Sequence, residues 1–301
     1  MHVDMDIASE ARTARTAFTA SAPEAVLHGR GWHARLNLVY GARDGETRLL
    51  KREHEGPLVV QKALYPEGRA VCHSLILHPP SGIVGGDRLE ISIGVQQGAH
   101  ALVTMPGATR WYRSGGETAG QTVNVRLGRE AVFEWLPPET IIFNNAIAQL
   151  RSHITLEAGA RYTGWEILCL GRTASGEKFS AGSLRQQTEI KIGDELVWDE
   201  RVRLSGGSPL LRSTVGLGDA PVSATMLAAG AKIPAEVLAR CRAHAVQGGA
   251  RAGVSAIDAL FVARYVGGSS EQAREYFVTL WRELRPVFSG RAAVTPRIWN
   301  T

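Results

Sequence analysis

The residues best suited to chemistry fall in three stretches. The first is Cys72-His73-Ser74-Leu75-Ile76-Leu77-His78-Pro79-Pro80-Ser81-Gly82-Ile83-Val84-Gly85-Gly86-Asp87, which gathers a thiol, two imidazoles and a carboxylate. Thiolate and imidazole ligate metals, so a metal site is the first chemistry to weigh. Side chains of a strand alternate between its faces, so Cys72 and His73 point apart, as do His73 and His78, and one strand cannot converge them on an ion. A buried thiol and a core or surface histidine are the plainer reading. The run into two prolines and then three glycines describes a sharply shaped loop whose backbone approaches something closely.

The second stretch is Glu134-Trp135-Leu136-Pro137-Pro138-Glu139-Thr140-Ile141-Ile142-Phe143. Glu134 and Glu139 have the residue type of a glycosidase acid and base, but no clear aromatic sugar platform accompanies them. The third, Pro106-Gly107-Ala108-Thr109-Arg110-Trp111-Tyr112-Arg113-Ser114, sets aromatics among arginines, as a partner surface or the edge of a core does. The chain contains no Gly-x-x-x-x-Gly-Lys-Ser/Thr loop, no His-Glu-x-x-His and no Gly-x-Ser-x-Gly elbow. Catalysis thus has no positive support in the sequence.

These stretches lie in a region of strict alternation, from Gly31 to about Ser213, as in Leu89-Glu90-Ile91-Ser92-Ile93-Gly94-Val95, Val123-Asn124-Val125-Arg126-Leu127 and Glu189-Ile190-Lys191-Ile192. Alternation predicts strands with one buried face. Turn signals recur between them at Gln97-Gly98, Ser114-Gly115-Gly116, Ala158-Gly159 and Ser205-Gly206-Gly207. A sandwich, a barrel or a β-solenoid would each satisfy the pattern. After about Pro221 the period changes to 3.6 and predicts helices over Pro234 to Ala245, about Val254 to Tyr265, and from Ser269 to a stop at Pro286. The last has a Ser269/Gln272 capping box and a stripe of Ala273, Tyr276, Phe277, Leu280, Trp281 and Leu284. The organisation expected is a flexible N-terminal extension over 1–30, then a single domain over 31–301: a β body over about 31–220, a helical cap over about 221–288 and a tail over 289–301.

The 301 residues are 44% apolar, enough for a substantial core. Residues 1–30 contain no apolar run of signal-peptide length, which predicts a cytoplasmic protein. No stretch approaches the roughly 18 to 20 uninterrupted apolar residues of a membrane span. Cys72, Cys169 and Cys241 are odd in number and far apart, so reduced and mostly buried thiols are expected. The net charge of +5 is uneven: residues 1–230 hold 24 Lys/Arg against 24 Asp/Glu, and residues 231–301 hold 10 against 5. The basic residues are dispersed and not interleaved with aromatics as in a nucleic-acid reader, so an acidic protein partner fits better. Arg274, Arg282 and Arg285, opposite the apolar stripe of the last helix, are the expected partner-facing residues.

Taken together, several segments resemble the urease accessory protein UreD (UreH) family. They are Gly56-Pro57-Leu58-Val59-Val60-Gln61-Lys62, Tyr65-Pro66-Glu67-Gly68, Leu77 to Asp87, Pro106 to Ser114, Glu134 to Thr140, Gly164-Trp165-Glu166-Ile167-Leu168-Cys169-Leu170-Gly171-Arg172 and Pro296-Arg297-Ile298-Trp299. The resemblance runs from about Gly31 to the C-terminus. It implies a mainly β fold, an irregular β-helix or solenoid-like body with a small C-terminal α-helical cap. It also implies a non-enzymatic scaffold that works with UreF and the GTPase UreG on apo-urease. Ni(II) would be a transient cargo in an internal polar conduit, with no tightly bound cofactor. Nickel held by water and hard oxygen ligands stays exchangeable, so carboxylates suit a conduit. Asp87, Glu139 and Glu166 are the carboxylates inside the matching segments. The alternative is a free-standing β-solenoid that binds or acts on carbohydrate.

Overall fold

The computed structural model describes residues 31–300, so the N-terminal extension expected over 1–30 lies outside the described residues. The chain winds between two stacked β-sheets. The first sheet has seven strands, in the order Glu195–Ser205, Ser183–Ile192, Ile147–Leu156, Ala119–Leu127, Arg88–Val95, His33–Arg43 and Glu46–Glu55. Its inner pairings are parallel, and antiparallel hairpins close both edges. The main path of the second sheet runs Val59–Leu64, Val71–Leu77, His100–Thr104, Val132–Trp135, Arg161–Leu170, Val222–Ala229, Leu260–Gly267 and Arg251–Ile257. It too is parallel at its centre and antiparallel toward both ends. From Val71 to Ile192 successive long strands alternate between the sheets, each stacking in parallel on the coil before it. This is a solenoid-like stack, as expected. Three short strands, Gly82–Ile83, Thr109–Trp111 and Thr140–Ile142, stack in parallel on one another at a corner of the coils.

Two cores follow from the alternation. In Arg88–Val95 the inward residues Leu89, Ile91, Ile93 and Val95 meet Leu36, Leu38, Val103 and Phe133 in the core between the sheets. His100–Thr104 is buried on both faces. Its second face, with Leu136, Trp165 and Ile167, lies under Phe277, Trp281 and Leu284 of the C-terminal helix Ser270–Ser289. The close backbone approach expected in the glycine-rich loop occurs at Gly82, where a Cβ would overlap the Tyr112 ring. All three cysteines are free and buried.

The C-terminal region departs from expectation. The helix predicted over Val254 to Tyr265 is a β-hairpin, Arg251–Ile257 and Leu260–Gly267, which turns at Asp258 with φ 50°. Phe261, Ala263 and Tyr265 are buried at a period of two, and the hairpin extends the sheet through Val222–Ala229. Sheet pairing outweighs the weak helical preference of this alanine-containing segment. Strand structure therefore continues to Gly267, and the helices of the expected cap are Ala235–Ala243 and Ser270–Ser289. Ser269 caps the long helix, its Oγ accepting the Gln272 N–H at 3.2 Å. Pro286 does not stop it. The proline removes one N–H, but burial of Phe288 carries the helix a further turn to a left-handed cap at Gly290, with φ 66°. Among the described residues no helix is long and apolar enough to cross a membrane.

Candidate functional site

One level of the inter-sheet space is polar. On one sheet Glu166, Thr225 and Arg264 stand side by side in register on neighbouring strands. On the facing sheet the corresponding row is Ser152, Thr188 and Glu200. Two residues along the strands stand Leu150 and Leu168 on one side, with the polar Gln186 and Ser223 beside them in register, and Ile154, Ile190 and Leu227 on the other. The alternation that turns each strand's apolar residues inward also turns these polar ones inward.

Beside these rows lies a cavity of about 350 Å³, partly open to solvent and lined by Glu166, Gln186, Glu200, Thr225 and Arg264, with Leu210, Val215 and Leu217 from the 209–217 segment among its walls. A narrower space of about 30 Å³ adjoins it, lined by Ser152, Thr188, Tyr162 and Trp135 and by the same Glu166, Gln186, Glu200 and Thr225. The neck thus carries a carboxylate from each sheet. Glu166 accepts a hydrogen bond from the Thr140 hydroxyl at 2.6 Å. Burial pushes its carboxyl up to about 7, against the lowering effect of that bond. Glu200 is paired with Arg264 at 2.5 Å, and Arg264 also donates to Thr225 Oγ1 at 3.2 Å. Carboxylate, hydroxyl and amide oxygens are hard donors that hold a hydrated divalent cation weakly.

The three predicted conduit carboxylates do not converge. Asp87 is buried and caps its own turn, accepting the N–H groups of Trp32 and Val84 at 2.8 Å each. Glu139 lies beside Cys169, whose thiol is pushed up to about 12 by burial and further by the Glu139 charge, against a lowering bond from Ser270. Cys169 belongs to the core under the helix, whereas Glu166 faces the space between the sheets. Only Glu166 enters the polar layer. Among the described residues no group of three or more His, Cys, Asp and Glu is arranged to hold a metal ion.

Arg285 was expected on an outward basic face with Arg274 and Arg282. It is instead 1% exposed and pairs with Glu67 and Glu134 at 2.6 and 3.0 Å, while Arg282 is exposed and Arg274 half-buried. Arg285 follows Trp281 by four residues, so it lies on the apolar stripe and can be buried only with its charge matched. Glu134 also meets His100 Nε2 at 2.6 Å and accepts the Trp281 indole N–H at 2.6 Å, and Glu67 meets His73 Nε2 at 2.7 Å. Burial opposes ionisation of Glu134, but His100 and Arg285 outweigh it and hold the carboxyl at about 2. Sealed under a helix and held ionised, Glu134 is not a glycosidase acid. It clamps the helix to the sheet.

The polar layer was not anticipated as a unit. Its signal in the sequence is polar residues at inward positions of otherwise apolar alternation, as in Leu150-Arg151-Ser152-His153-Ile154 and Leu184-Arg185-Gln186-Gln187-Thr188-Glu189-Ile190.

Fold and site together define a two-sheeted β solenoid with a polar layer through its core and a helix clamped to its outer face. Residues 33–300 match the family described as UreD urease accessory protein. The chain is 47% identical over 277 residues to the urease accessory protein UreD of Dechloromonas aromatica, covering 91% of this chain and 96% of that one. It is 44% identical over 270 residues to that of Methylobacillus flagellatus, covering 90% and 95%, and 45% identical over 288 residues to that of Janthinobacterium sp., covering 95% and 97%. The chain belongs to the UreD family of urease accessory proteins.

Proposed function

We propose that this protein is a non-enzymatic cytoplasmic scaffold that, in complex with UreF and the GTPase UreG, passes Ni(II) to apo-urease, and that the polar layer is the internal passage for the ion. The observation that supports this reading is the pair Glu166 and Glu200, set on opposed sheets of one neck among hydroxyl and amide oxygens. Two carboxylates matched to a hydrated dication lower its cost of leaving bulk water, and oxygen donors release it again. Asp87 and Glu139 serve this reading indirectly, Asp87 by shaping its turn and Glu139 from the other face of the sheet. The exposed Arg282, with Arg274, is proposed to steer an acidic surface of UreF.

The test is reconstitution of apo-urease with UreF, UreG, GTP and Ni(II), reading the nickel content of urease. Glu166→Gln and Glu200→Gln preserve shape and remove charge, so each is expected to lower nickel delivery roughly tenfold while co-purification with UreF is unchanged. Unchanged nickel content in both variants would refute the passage.

A further inference from the structure

We propose that Arg264 is a tethered counter-cation that occupies Glu200 between transits, yields it to a divalent ion, and on returning drives that ion onward. This deepens the transit reading and rests on it. Arg264 stands in the register row Glu166, Thr225, Arg264 on one sheet, yet its guanidinium reaches Glu200 on the other, 2.5 Å away. Both partners line the cavity through which an ion would pass.

The contact is built for exchange. Arg264 is 49% exposed and Glu200 19%, and the further partner of Nη1 is the Thr225 hydroxyl at 3.2 Å. A pair this wet is worth little, on the order of 1 kcal/mol or less, so a dication can displace the arginine. Arg285, by contrast, is locked by two buried carboxylates and the Ala292 carbonyl. A resting place for the displaced guanidinium adjoins Glu200: the Trp198 ring, whose centroid is already 5.7 Å from the Arg264 guanidinium carbon.

The charge count gives the arginine its purpose. Glu166 and Glu200 share the neck with Gln186 and Thr225. Without a cation of its own, that set offers two carboxylates, an amide oxygen and a hydroxyl, which is a holding site for a divalent ion. With Arg264 on Glu200, the charge of that carboxylate is cancelled whenever the ion leaves. The arginine therefore weakens resting affinity and prevents retention, as a passage needs.

The test titrates the purified full-length chain with NiCl2 by calorimetry and then follows nickel delivery to urease. Arg264→Met and, as a second variant of different packing, Arg264→Gln are expected to bind Ni(II) roughly tenfold more tightly than the parent chain and to deliver it more slowly. The gain should vanish in Glu200→Gln/Arg264→Met, and Arg264→Lys, which keeps the charge, should shift affinity less than Met does. Unaltered or weaker Ni(II) binding in both Met and Gln variants would overturn the proposal, as would a gain that survives Glu200→Gln. If Glu166→Gln and Glu200→Gln lower delivery but removal of the Arg264 charge leaves affinity unchanged, the passage stands and the tethered cation falls. If neither glutamate variant alters delivery, the passage itself falls.

Discussion

Two arginines join separate parts of this molecule through glutamates, in opposite surroundings. Arg285 is sealed between the C-terminal helix and the outer face of the second sheet, its guanidinium shared by Glu67 and Glu134 with His73 and His100 behind them. Arg264 spans the gap between the two sheets to a single glutamate, in contact with water. In the sealed cluster a lost partner leaves a bare charge that water cannot reach, so the chemistry is structural. In the wet pair a lost partner is replaced by solvent or by another cation, so the chemistry can be functional.

Thermal and denaturant unfolding should separate the two most widely. Arg285→Ala is expected to destabilise the protein by roughly 3–5 kcal/mol, because Glu67 and Glu134 are then buried without their cation. Arg264→Ala should cost on the order of 1 kcal/mol or less. Similar losses for both would erase the distinction.

The pH dependence of stability sharpens the comparison, since the glutamates of the two regions are shifted in opposite directions. The Glu166 carboxyl is raised from 4.5 to about 7, so the folded state binds its proton more tightly than the unfolded chain does. Its contribution is fully present below about pH 4.5 and is lost as pH rises through 7, by up to about 3 kcal/mol at about 1.4 kcal/mol per unit. Glu134 is lowered from 4.5 to about 2, so its contribution is present above pH 4.5 and is lost as pH falls toward 2. Unfolding of Glu166→Gln followed across pH 5 to 8 should show a flatter profile than the parent. A parent profile already flat in that window would remove Glu166 from the desolvated site.

The smallest effect is expected at the surface. Reversing Arg274 and Arg282 to glutamate should weaken recovery of UreF at low salt by about 1 kcal/mol or less and have little effect at high salt, where such charges are screened. Equal recovery at both salt concentrations would leave these residues as a solvated face.

Much of the fold was legible because its elements are local patterns. Inward Leu89, Ile91, Ile93 and Val95 mark a strand by period alone, and Ser269 marks a helix start by its own hydroxyl. The hairpin at 251–267 was hidden because alanine and valine fit both periods over so short a run, and only pairing with Val222–Ala229 decides between them. Arg285 was misplaced because its partners lie 151 and 218 residues away along the chain. Of the site, Glu166 was visible within a recognisable segment. Ser152, Thr188, Glu200, Thr225 and Arg264 were not, because each belongs to a different strand and they become one layer only in register.

That layer bears on how the chain finds its shape. In a stack of parallel strands, a slip of one residue exposes every apolar side chain and is rejected at once. A slip of two keeps the faces correct and is the more dangerous error. Here it would carry Glu166 off the Thr225 row and set Thr188 beside Leu150 or Ile154, placing polar groups among apolar ones. The polar layer is therefore also an alignment key, penalising mis-stacked coils that the apolar residues alone would accept.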